Sequence, residues 1–308
     1  MTPIGVFVMA YGGPDKLEDV APYLMDVRGG RATSPVAIAE VRERYREIGG
    51  RSPILEKTLA QASALQNALD PEQKAFRLYT GMRHWHPYIK DVLAEMAGAG
   101  IDRAIGLVMA PHYSRMSVGV YYKKVDEAQS PIALRQIEQW HLLPGYLDAL
   151  ADHVRTALQH FPADARMRVP VVFTAHSLPE RILTWNDPYP GQLQATVAAV
   201  IERLGSYHGE HHFAYQSAAM TPDPWLGPDV AQVVTQLAAA GQKNVLIAPI
   251  GFVCEHVEIL YDIDVVLQRQ ARTLGLQLER IEMLNAAPAM IAGLAGLVRD
   301  EAQQAGWL

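Results

Sequence analysis

Six short strand-like runs, most of them apolar nearly throughout, recur in the same order in the two halves of the chain, each closed by a small-residue or polar turn. In the first half Ile4–Met9, Phe76–Thr80 and Ala104–Met109 lead into Ala10-Tyr11-Gly12-Gly13-Pro14, Thr80-Gly81-Met82 and Ala110-Pro111-His112. In the second, Val169–Thr174, His212–Tyr215 and Val245–Ala248 lead into Ala175-His176-Ser177-Leu178-Pro179, Gln216-Ser217 and Ala248-Pro249-Ile250. Runs that are apolar throughout, rather than alternating, suit parallel strands covered by helices on both faces. Between them, periodic patterns predict helices over Val36–Ile48, Lys57–Ala68, Tyr88–Ala97, Gly145–His160, Gln192–Leu204, Pro228–Ala239, Ile259–Leu274 and Ala289–Ala305. The expected class is α/β, in two similar parallel-sheet halves with right-handed crossovers. The halves are placed at 1–150 and 151–308, with the boundary near Gly145–Pro170. The lack of a Ser/Gly linker there predicts that they are tightly joined. Folds of this kind bind ligands beyond the C-terminal ends of their strands, which is where these turns fall.

Composition narrows the function. With 308 residues, 49% apolar and 19% charged, the chain has material for a large core and about two domains. A net charge of -6 argues against a general nucleic-acid binder, which needs a basic surface. The single cysteine, Cys254, excludes an intramolecular disulfide and any zinc or iron–sulfur site built from several thiolates of the chain. The start MTPIGVFVMAYGG has no basic segment and only a short apolar run, unlike a signal peptide. Stretches such as Val245–Val253 are about half the length of a membrane span. A cytoplasmic protein without a transmembrane segment is expected, and a monomer.

Four groups of residues invite chemistry. His176 follows the apolar strand VVFT, and an imidazole at a strand end suits proton transfer or metal binding; a capping or core-edge role is the plainer alternative. The segment Pro249–Glu258 opens from a strand through a glycine turn into acids and a histidine. Glu258 and Asp262 are spaced to share one helix face, where they could bind a cation or relay protons, or simply favour a helix N-terminus. His256-Val257-Glu258 is not a zincin motif. Third, residues 28–51 carry Arg28, Arg31, Arg42, Arg44, Arg46 and Arg51 against Glu40, Glu43 and Glu47. That surplus suits recognition of carboxylate or phosphate, with intrahelical ion pairs as the alternative. Fourth, Tyr11-Gly12-Gly13-Pro14 matches no dinucleotide or Walker loop, but its phenol can ligate or hydrogen-bond a cleft ligand. Asp223–Pro228 reads as a rigid turn before a helix.

Together these segments resemble the ferrochelatase family. The motifs are MAYGGP at 9–14, RYREIGGRSP at 44–53, APHYS at 110–114, TAHSLP at 174–179, QSAAMTPDPWLGP at 216–228 and APIGFVCEHVEILYDID at 248–264. The resemblance implies two Rossmann-like, doubly wound halves flanking a porphyrin-binding cleft, and insertion of Fe2+ into a porphyrin in haem biosynthesis. By motif it implies that His176 and Glu258 are the catalytic and metal-binding pair. It also implies that Tyr11, Arg28, Arg44, Tyr45, Ser52 and Tyr121 contact the macrocycle or its carboxylates, and that His84 is a further polar cleft residue. The tyrosine in MAYGG is similar to that of bacterial coproporphyrin III ferrochelatases; protoporphyrin IX enzymes of the animal type resemble MGGP there. The substrates implied are Fe2+ and a porphyrin, coproporphyrin III ahead of protoporphyrin IX. No permanently bound cofactor is expected, and no iron–sulfur cluster, since the cysteine-bearing extension of some members is absent. Val266 stands where some bacterial members continue an acidic row from Glu258 and Asp262.

The chemistry fits these residue types. A porphyrin presents four nitrogens, two of them protonated, so iron enters only as two protons leave and the ring bends. A base, carboxylates and a rigid wall are required. Two other readings of the same fold stay open here: a non-catalytic tetrapyrrole or metal carrier, which would not need both His176 and Glu258, and a cobalt or nickel chelatase for another tetrapyrrole.

Overall fold

The computed structural model describes residues 2–219 and 221–308; Met1, and Met220 within the 216–228 motif, lie outside the described residues. The first half runs β1 (Ile4–Ala10), α1 (Val20–Val27), α2 (Pro35–Glu47), α3 (Ile54–Leu69), β2 (Phe76–Met82), α4 (Ile89–Gly98), β3 (Arg103–Val108), α5 (Val118–Glu127) and β4 (Ala133–Ile137). Helix α6 (Pro144–Leu158) leads to β5 (Val171–His176), α7 (Tyr189–Leu204), β6 (His211–Gln216), α8 (Val230–Ala239) and β7 (Asn244–Pro249). The chain ends with α9 (Val257–Leu260), a π-helical turn (Asp262–Leu267), α10 (Gln268–Thr273), β8 (Gln277–Arg280) and α11 (Pro288–Gln304).

The strands form two parallel four-stranded sheets, ordered β2-β1-β3-β4 and β6-β5-β7-β8. The second order repeats the first, as the recurring turns predict. Burial explains why the strands read as continuous apolar runs. Along β1, Val6 and Val8 enter one apolar cluster while Phe7 and Met9 enter another on the opposite face. In β5, Val171 and Phe173 divide from Val172 in the same way. Each such side chain, fully buried, is worth about 1.5–3 kcal/mol relative to exposure, so both faces must be apolar.

The cluster holding Val6 and Val8 also holds Phe173 and Leu246, so the two sheets share one apolar layer, filled by α6 and α11. Helix α11 ties the end of the chain to the first half. Arg299 donates to the carbonyls of Ala68 (2.6 Å) and Leu69 (3.1 Å), which the end of α3 leaves unpaired. Arg135 on β4 pairs with Glu301 at 2.9 Å.

Four elements lie where the apolar patterns predict none: α1, α5, β4 and β8. Both strands are the fourth of their sheet, at an edge, and are half exposed, so they carry no continuous apolar run. The helix expected over Ile259–Leu274 is three segments, because Val266 N bonds Tyr261 O at 2.9 Å, five residues back. One residue of slippage in a single turn leaves the apolar period almost unchanged. No helix among the described residues is long and apolar enough to cross a membrane.

Candidate active site

The turns that follow β1, β2, β3, β5 and β7 converge on a cavity of about 250 Å3. Pairing within each sheet brings them together: β5 runs parallel to β7 with Thr174 opposite Pro249, so the turns bearing His176 and Gly251–Glu258 emerge side by side. The approach is close. A Cβ on Gly251 would lie 2.7 Å from that of Ala175, and one on Gly13 would lie 2.5 Å from Ser52 Oγ. Behind the wall, Tyr189 donates to the His176 carbonyl (3.0 Å) and Tyr146 to that of Ile250 (2.6 Å), satisfying the strand ends.

Glu258, in the first turn of α9, sits between two imidazoles. His176 Nε2 is 3.6 Å from its Oε1, and His256 Nε2 is 3.5 Å from its Oε2. Each ring is oriented from behind: His176 Nδ1–H donates to the Ser177 carbonyl, and His256 Nδ1–H to that of Cys254 at 3.1 Å. In the neutral rings those bonds leave both Nε2 atoms as lone pairs facing a carboxylate. Four acceptors then converge where a proton or a cation would be held. Burial alone would raise the Glu258 carboxyl, but His176, His256 and Arg44 outweigh it and hold it below the usual carboxylate range. Phe252 packs against both rings, with centroids 4.3 Å from His256 and 6.4 Å from His176. The π-helical turn directly follows, a feature frequent at functional sites.

The facing wall is aromatic and basic. Tyr11 is 36% exposed, and burial of its oxygen pushes the phenol up to about 12 against the lowering effect of Arg83. It is therefore protonated at neutral pH. His84 packs against it at a tilt of 54° with centroids 4.7 Å apart and donates Nδ1–H to Asp26 on α1 at 2.7 Å. Burial, then Arg83, drive the His84 imidazole down to about 4, so it stays neutral. Arg83 lies over the rings of both Tyr11 and Tyr121, at 5.5 and 5.4 Å from their centroids.

Of the residues singled out from the sequence, Tyr11, Tyr121, His176 and Glu258 line this cavity. Arg44 lies beside it, 5.5 Å over the ring of Tyr261. Arg28 is exposed at the end of α1, and Tyr45 is buried edge-on to Tyr23 at 6.5 Å. Ser52 is buried behind the glycine turn, where its N–H donates to Pro14 O at 2.9 Å. Asp262 turns from the cavity to accept from Ser217, and Val266 is exposed. Arg83 and His112 also line the cavity, with no role read from the sequence, as does His256, read there only as part of the Pro249–Glu258 segment. Arg83 directly follows the Thr80-Gly81-Met82 turn, and His256 stands two residues before Glu258, so position relative to strand ends was the available signal. No group of three or more His, Cys, Asp or Glu suited to a metal ion occurs among the described residues.

The ferrochelatase family model matches residues 3–302. A ferrochelatase of Herpetosiphon aurantiacus is 44% identical over 96% of this chain and 98% of its own. A coproporphyrin III ferrochelatase of Oceanobacillus iheyensis is 39% identical over 97% of both chains. Among solved structures, SirB from Bacillus subtilis superposes with a TM-score of 0.58 at 8% identity, covering 99% of this chain and 97% of that one, a likeness of fold alone. With the family match running almost end to end, the chain belongs to the ferrochelatase family.

Proposed function

We propose that coproporphyrin III is the ring into which this ferrochelatase inserts Fe2+. The reading rests on the arginines of residues 28–51. Arg46 and Arg51 are paired with Glu43 and Glu56. Arg28, Arg31 and Arg44 have no carboxylate within ion-pair distance among the described residues. They are carried on the α1–α2 segment, whose Asp26 bonds His84, which packs on Tyr11 of the cavity wall. Coproporphyrin bears four propionates where protoporphyrin bears two and two vinyl groups, and each carboxylate drawn from water needs a partner. A neighbouring segment rich in unpaired guanidinium groups suits the more acidic ring. The coproporphyrin III ferrochelatase among the relatives supports the same reading.

In the reaction Fe2+ replaces two pyrrole protons, so charge and atoms balance when two protons leave the ring. His176 Nε2, a lone pair in the neutral tautomer, accepts one. Glu258 stabilises the resulting imidazolium and relays protons onward, with His256 sharing the load. Fe2+, a substrate here, meets imidazole, carboxylate and phenol, donors compatible with it. Tyr11 stands on the facing wall as the candidate contact to the metal or the macrocycle. A competition between coproporphyrin III and protoporphyrin IX under anaerobic conditions, with products identified by mass, tests the substrate. Preferential appearance of iron coproporphyrin is expected; equal or faster formation of iron protoporphyrin overturns the choice of ring.

A further inference from the structure

Arg83 enters the cavity with its donors unused. Its Nε is buried without a hydrogen-bond partner, and no carboxylate among the described residues lies within ion-pair distance of the guanidinium. Arg280, by contrast, grips Asp264 through two bonds of 2.7 and 2.8 Å. Arg83 is held instead by two aromatic rings, with its guanidinium carbon 5.5 Å from the centroid of Tyr11 and 5.4 Å from that of Tyr121. Its backbone is rigid, because Arg83 N donates to Ala10 O and His84 N to Tyr11 O, both at 2.9 Å, where β1 and β2 end side by side. A guanidinium partly withdrawn from water, with its Nε buried and no anion beside it, carries a cost that aromatic faces offset only in part. Five donors in a planar fork, fixed in direction and opening into a cavity, match a carboxylate bound through two parallel bonds.

We propose that Arg83 binds a propionate of the tetrapyrrole and thereby sets its rotation in the cleft, an inference that rests on the porphyrin reading above. The aromatic pair would hold the guanidinium in place for the carboxylate, so the ring would be oriented from inside the cavity. The position argues against an ornamental surface charge: Glu258 and His176 line the same cavity, and a propionate on Arg83 would fix the distance from the ring edge to both.

Binding of metal-free porphyrin, read from the Soret shift, tests this without turnover. Coproporphyrin III and its tetramethyl ester, which keeps the shape and loses the charge, are titrated against the wild-type chain, Arg83→Ala and Arg83→Lys. Arg83→Ala is expected to weaken the free acid by about tenfold or more, as for loss of a charged hydrogen bond, and to leave the ester within about twofold. Arg83→Lys, which keeps the charge and loses the fork, should fall between, and it decides the matter if the alanine variant does not fold. Equal losses for acid and ester in the lysine variant would assign Arg83 to packing of Tyr11 and Tyr121 and overturn the proposal, as would no loss for either. Failure of the wild-type chain to bind either porphyrin would instead remove the substrate reading on which the proposal stands.

Discussion

His176 Nε2 stands 3.6 Å from Oε1 of Glu258 with its other ring nitrogen committed to the Ser177 carbonyl, so in the neutral ring two lone pairs oppose one another. Such an arrangement is stabilised by whatever positive species lies between them. That geometry is the basis of the roles proposed above for the pair in proton transfer and iron insertion.

Removing either partner should therefore damage insertion in different ways. His176→Ala is expected to lower the rate of iron or zinc insertion by at least about 100-fold, within the range for loss of a general base. The thermal midpoint should change little, because the ring is half exposed at a strand end. Glu258→Gln should slow insertion comparably while leaving porphyrin affinity within a few-fold. Near wild-type turnover by His176→Ala would remove the imidazole from the mechanism.

His256 helps keep Glu258 ionised despite its burial, together with His176 and Arg44. In His256→Phe, which keeps a ring beside Phe252, the carboxyl loses a neighbour that holds it down, so its proton should bind more tightly. The acidic limb of the pH profile of kcat/KM should then move to higher pH, with activity lost more at pH 6 than at pH 8. A profile scaled uniformly downward would show that His256 acts only through packing.

The acid sensitivity of the fold should have a traceable source in His112. Its Nε2–H donates to Thr196 Oγ1 at 2.9 Å, and burial, with a smaller effect of His141, drives the imidazole down to about 3. In the unfolded chain the same group titrates near 6.5. Between those values the unfolded chain binds a proton that the folded chain refuses, so stability rises with pH across that window and is flat above it. His112→Asn should flatten the dependence of urea-unfolding free energy on pH between about 4.5 and 6, by up to about 1.4 kcal/mol per pH unit. An unchanged slope would place the acid sensitivity elsewhere, for instance at His84.

The contact between Gly13 and Ser52 should be steric. A Cβ at residue 13 would fall 2.5 Å from Ser52 Oγ and 2.6 Å from its Cβ. Gly13→Ala is expected to destabilise the chain by roughly 1–3 kcal/mol, the usual cost of overpacking. Adding Ser52→Gly, which removes both atoms, should recover most of that loss in a double-mutant cycle. Simple additivity of the two single changes would show that the turn relaxes by another route.

Much of this architecture is legible in one dimension. Strands buried on both faces must be apolar at every position, so β1, β3, β5 and β7 stand out, the edge strands β2 and β6 keep shorter mixed runs, and the recurrence of the turns foretells two sheets of one topology. A parallel sheet places consecutive C-terminal turns on one side, which is why Tyr11, His176 and Glu258 can be selected from strand ends and found on one cavity. Edge strands β4 and β8, and the π-helical turn, escape because half-burial and a one-residue slip leave no distinct period.

Only the tertiary structure decides where each side chain points once the chain leaves its strand. RYREIGGRSP carries Arg44, Tyr45 and Ser52 within nine residues, yet Arg44 lies over Tyr261, Tyr45 is buried against Tyr23 and Ser52 is closed in behind Gly13. Arg83 gains its place from Tyr121, which is distant in sequence, and His256 gains its meaning from the Cys254 carbonyl that fixes its tautomer. Local sequence determines the strands and the order of the turns, because burial and periodicity act along the chain. The directions of the donors and acceptors come from contacts between segments far apart, which no local pattern encodes.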